Sequence, residues 1–134
     1  MTVGYFKNNH CVAALIYLPE TDFTLLVQQG KGVSLNQKRI RVQDSHDKGD
    51  IIVGCTTDYL TSSNHTLPVV EHVASFDVCG SPGLWLSSVI QEHVTHGFHA
   101  PSHALEKDIL ILFLREAALF VEEHNGLILT RNKR

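Results

Sequence analysis

The stretch "CVAALIYLPETDFTLLVQQGKGVSLNQKRIRV" (11–42) constrains the fold more than any other part of the chain. "CVAALIYL" is apolar and β-prone, and "PET" interrupts it as a turn. "TDFTLLVQQ" resumes the β pattern. "GKG" at 30–32 marks a second tight turn before "VSLN". "RIRV" at 39–42 alternates charged and β-branched residues, as a half-exposed strand does. Strands of this length, joined by turns this short, predict a small antiparallel sheet bent into an SH3-like barrel.

Residues 43–50 are polar and charged and read as a loop, and "IIVGC" (51–55) reads as one more strand or the start of a connector. "TTDYLTSSNHTLP" is rich in Ser, Thr and Asn and ends at Pro68, so it reads as a turn-rich boundary. "VVEHVASF" (69–76) suits a short helix. "SPGLWLSSVIQEHVTHG" (81–97) has helix punctuation: Ser81 to cap, Pro82 in the first turn, Gly97 as a stop. "SHALEKDILILFLREAALFVEEHNG" (102–126) reads as one long helix whose polar positions recur every seven residues, a narrow wet stripe on a buried element. "LILTR" (127–131) then suits a short strand, the return arm of a wing. The expected class is α+β, with a β-barrel over 1–55, a connector over 56–80 and a helical, winged-helix-like unit over 81–134.

Charge narrows the choice of partner. Residues 1–54 hold six Lys/Arg against five Asp/Glu, and residues 55–130 hold two against nine. The second region repels phosphate, so a nucleic-acid face belongs in the first third or in the terminal "RNKR". The apolar run "ILILFL" is far too short to span a bilayer. No membrane association is expected, and the absence of a leader-like start predicts a cytoplasmic protein. Three cysteines, Cys11, Cys55 and Cys79, lack disulfide spacing and read as buried thiols.

Three groups of residues carry possible chemistry. "HVTHGFHAPSH" holds His93, His96, His99 and His103 in eleven residues. No zinc-site spacing is present, so helix-end and surface roles are expected rather than a metal. Cys79 precedes a helix start, where a dipole favours a thiolate, and a Cys/His nucleophile is the sharper reading of it. The basic strip 31–42 places Lys31, Lys38, Arg39 and Arg41 together without an intervening acid, a candidate phosphate-contacting ridge. On a strand, Arg39 and Arg41 share one face.

The order of "VGYFKNNHCVAALIYLPETDFTLLVQQGKGVSLNQKRIRV" (3–42) resembles the N-terminal small barrel of the exoribonuclease II/R (RNB) family. "LREAALFVEEHNGLILTR" (114–131), with Phe120 and Gly126, is similar in outline to the winged-helix-like region that follows it there. The clustered aspartates that hold magnesium in that family's catalytic domain have no counterpart here, so the resemblance implies an accessory module. The expected function is a non-catalytic module binding single-stranded RNA through Lys31, Lys38, Arg39 and Arg41, without a cofactor. The alternatives are a protein-interaction or assembly module, partnered by another protein or a larger parent chain, and a small metal- or Cys/His-dependent enzyme.

Overall fold

The structure is a computed structural model that describes residues 1–40, 51–61, 73–91, 93–117, 119, 121–123 and 126–130. The first five strands are β1 (Thr2–Lys7), β2 (His10–Leu18), β3 (Phe23–Gln28), β4 (Gly32–Leu35) and β5 (Lys38–Ile40). They form an antiparallel meander in the order β1-β2-β3-β4-β5. The hairpin turns follow from local chemistry. Asn8 and Asn9 join β1 to β2 at φ 53° and 65°, and Asn36 and Gln37 join β4 to β5 at φ 49° and 72°. Two consecutive positive-φ residues match the right-handed twist of the flanking strands, and Asn tolerates that region.

The sheet does not close. β1 and β5 remain its two edges, which corrects the expected SH3-like barrel. The inward residues Ala14, Ile16, Leu25, Val27 and Val33 are covered instead by helices α2 (Pro82–Ile90) and α3 (Ala104–Glu116). Closing the barrel would compete with that cover for the same apolar face.

A second sheet has the order β7-β6-β8-β10-β9, from β6 (Ile51–Thr56), β7 (Val73–Cys79), β8 (His96–His99), β9 (Val121–Glu123) and β10 (Leu127–Thr130). β6 runs parallel to β7 and β8, whereas β10 is antiparallel to β8 and β9. Trp85, Leu86, Val89 and Ile90 of α2 and Ile109, Leu110, Phe113 and Leu114 of α3 share one core with the first sheet and with Leu127 of the second. The layers are therefore sheet, helices, sheet. The short helix α1 (Thr57–Thr61) packs beyond, where Tyr59 lies with Val53, Cys55 and Phe98.

Three expectations change here. β10 is an interior strand of the second sheet, not the arm of a wing, and the described residues form no winged helix. The helix expected over 102–126 ends at Glu116, because the apolar residues after it continue into β9 beside β10. The helix expected over 69–76 is β7 for its described part, and residues 69–72 lie outside the described residues.

The helix expected over 81–97 ends at Ile90, and Gly97 lies in β8. Gly97 is small for packing, not for a helix stop: a Cβ there would stand 3.1 Å from both Trp85 Cζ2 and Val89 Cγ2. The loop over 43–50 and the middle of the connector, residues 62–72, lie outside the described residues. No described helix is long and apolar enough to cross a membrane.

Candidate functional site

Two helix N-termini and α1 meet at a cavity of about 440 Å³. Ser81 before α2 with Pro82 and Gly83 of its first turn line it, together with Ser102 and His103 before α3, Glu106 of α3, Asp58 of α1, and apolar residues such as Ile16 and Leu18. The sequence folds this way for local reasons. Ser81 Oγ accepts from Leu84 N–H at 3.3 Å and caps α2, while Pro82 occupies the first turn, where its missing N–H costs nothing. Gly83 is tight against the first sheet, with Ile16 and Leu18 carbons at 3.1 Å from a Cβ position. Its N–H is one of the first-turn donors that have no intrahelical partner.

At α3 the cap is His103, whose Nδ1 accepts from Glu106 N–H at 3.2 Å. Glu106 reaches back. Its Oε2 accepts from Ser102 N–H and Ser102 Oγ, both at 2.7 Å. This reciprocal arrangement is a variant of the capping box. The other oxygen, Oε1, lies 3.0 Å from His99 Nε2. Burial pushes the Glu106 carboxyl up, but the two Ser102 donors and His99 outweigh it and hold the pKa below the ordinary value. Glu106 is therefore an ionised acceptor at neutral pH.

His99 is wholly buried, and its Nδ1 lies 2.7 Å from Thr56 Oγ1. Burial lowers its pKa, and the opposing pull of Glu106 and Asp58 does not reverse this. Thr56, His99 and Glu106 thus have the connectivity of a hydroxyl–imidazole–carboxylate triad. It is not a nucleophilic one, since Thr56 is only 1% exposed and its hydroxyl already accepts from Tyr59 N–H at 3.3 Å.

The other expected site residues lie elsewhere. His93 is exposed, and His96 is half-buried with Nδ1 2.9 Å from Thr95 Oγ1. His96, His99 and His103 make separate local contacts and do not converge with His93 on one site. Among the described residues no group of three or more His, Cys, Asp or Glu could hold a metal ion. Burial raises the Cys79 thiol, as it does Cys55, which is pushed up to about 11. That is the reverse of what a nucleophilic cysteine needs. Lys31 lies in the β3–β4 turn and Lys38 and Arg39 on β5, all exposed and none on the cavity wall. Arg41 lies outside the described residues.

No protein-family model matches the chain. The inositol-1-monophosphatase of Rhizobium meliloti is 27% identical over 132 residues, which cover 94% of this chain and 50% of the relative. That of Mesorhizobium japonicum is 25% identical over the same shares. The extragenic suppressor protein SuhB of Bartonella henselae superimposes with a TM-score of 0.74 at 18% identity, over 97% of this chain and 56% of its own. The fold is that of the inositol monophosphatases.

An IMPase/NADP phosphatase solved with NADP and Ca2+ has the same TM-score of 0.74 at 13% identity, over 97% of this chain and 54% of its own. The inositol-monophosphatase likeness replaces the RNB resemblance and, with it, the reading of the chain as a non-catalytic RNA-binding accessory module. Small meanders recur in many folds; here it is the sandwiched helices and the mixed second sheet that distinguish one from another. The chain spans about half the length of the curated relatives it matches.

Asp58 and Glu106 are hard oxygen ligands of the kind divalent cations take. Yet both Glu106 oxygens already accept hydrogen bonds, and no third described ligand joins them. The described residues do not form a cation site by themselves.

Proposed function

We propose that the chain serves in the hydrolysis of a small phosphate monoester, as the part of an inositol-monophosphatase-type phosphatase that carries the α2/α3 cavity. The observation that supports this reading is the likeness of nearly the whole chain to phosphatases of that fold. The cavity chemistry suits one share of the task. Glu106 and Asp58 are acceptors for the hydroxyl groups of a polyol or ribose, and the first turn of α2 supplies donors and the positive end of its dipole. Two carboxylates on one wall repel a phosphate dianion, so neutralising it falls to donors outside this described set.

The test is phosphate release from inositol 1-phosphate and from 2′-AMP by the purified chain in the presence of Mg2+. Saturable release that falls about 100-fold or more in Glu106→Ala is the expected result. Release unaffected by Glu106→Ala and by Asp58→Asn would contradict the assignment of this cavity. No release from either ester, together with no binding of them, would contradict the phosphatase reading.

A further inference from the structure

The row Thr56–His99–Glu106 ties the end of β6 to the start of α3 through two side-chain hydrogen bonds of 2.7 and 3.0 Å. Its proton positions follow from the partners. Thr56 Oγ1 accepts from Tyr59 N–H and has one hydrogen to give, and His99 Nδ1 is the acceptor beside it. An ionised carboxylate only accepts, so Nε2 must carry the ring hydrogen. The opposite tautomer would set a nitrogen lone pair against Glu106 Oε1 at 3.0 Å, whereas the Thr56 hydroxyl can meet either form, so the carboxylate decides. The ring plane is held as well. Trp85 lies against it with centroids 5.3 Å apart, and Trp85 Nε1 is itself anchored on the Gly54 carbonyl at 3.1 Å.

We propose that His99 is a positioning residue: as the neutral Nε2–H tautomer that the Glu106 carboxylate requires and the Thr56 hydroxyl accommodates, it fixes that carboxylate against the cavity. Ser102 holds one carboxylate oxygen from the loop, and His99 holds the other from the protein interior. With both held, Glu106 presents one orientation to whatever enters. The charged groups that face the ring are Glu106 on α3, which takes a donor at Nε2, and Asp58 on α1, whose charge opposes the effect of burial on the ring. Only the consequence for turnover rests on the phosphatase reading. The hydrogen-bond pattern stands apart from it.

The experiment is NMR on the full chain with 15N-labelled histidine and 13C-labelled glutamate. In wild type near neutral pH, His99 should show an unprotonated Nδ1 and a protonated Nε2. A protonated Nδ1, or a mixture of tautomers, would overturn the proposal without any variant being needed. Two substitutions extend the test. The amide of His99→Gln can donate to Glu106 and accept from Thr56, whereas His99→Phe can do neither. The Glu106 titration midpoint should move upward in His99→Phe and stay close to wild type in His99→Gln.

Identical midpoints in all three folded proteins would overturn the proposal. If His99→Phe does not fold, the wild-type tautomer and the Gln variant still decide. Where phosphate release is measurable, it should fall by up to about 100-fold in His99→Phe and recover in His99→Gln. Absence of release in wild type would count against the phosphatase reading and leave both NMR results in force.

Discussion

Gly54 of β6 is packed more tightly than Gly97. A Cβ at Gly54 would stand 2.8 Å from Val94 Cγ1, and valine has no flexible end to move aside. Gly54→Ala should therefore cost about 1–3 kcal/mol, read from the shift of a urea-unfolding midpoint. Phe113 is wholly buried between the sheets, so Phe113→Ala should cost about 3–5 kcal/mol by the same measurement. A wild-type midpoint for either variant would reject the packing described. The burial of Phe113 was legible in the sequence from the narrow polar stripe of its helix. The role of His99 was not legible. Its hydroxyl partner is 43 positions away, and proximity at that separation comes from the pairing of β6 with β8. His93, His96, His99 and His103 looked like one cluster only because they are close along the chain.

At the scale of elements, the starts of helices are written in the local sequence and their ends are not. Ser81 and Pro82 start α2 as their chemistry requires, and the turn between β3 and β4 falls where "GKG" places it. Glycine and apolar runs do not mark where a helix ends, since Gly97 serves packing and the residues after Glu116 are as apolar in a strand as in a helix. The α3 start carried a usable signal in "SHALE", where Ser102 and Glu106 are spaced to share hydrogen bonds. His103→Ala should cost about 0.5–2 kcal/mol through loss of the cap. Ser102→Ala should raise the Glu106 midpoint, because the hydroxyl is the strongest of the groups that lower it. A 13C titration that leaves Glu106 unmoved would contradict the reciprocal cap.

For the whole molecule, the strands of the first sheet were legible but the layers were not. Whether a five-stranded meander closes on itself or receives helices depends on α2 and α3, which arrive more than forty residues later. The acidic balance of 55–130 was read as excluding phosphate, although it also describes a wall of acceptors waiting for other groups to neutralise a phosphoester. Stability should depend on pH in a stated direction. Burial lowers the pKa of both His96 and His99 below the ordinary value of 6.5. Their contribution is fully present above 6.5 and is lost as pH falls through the depressed folded values, because the unfolded chain then binds more protons. The unfolding midpoint should drop between about pH 7 and pH 5, and less so in His99→Gln. A flat profile would contradict the buried neutral imidazoles.

The most direct test of the central claim is backbone-amide NMR of the chain titrated with inositol 1-phosphate. The account predicts saturable shifts at Gly83, Leu84, Ser102 and Glu106, around the α2/α3 cavity. Shifts centred instead on Lys38 and Arg39, or none at any concentration, would contradict it.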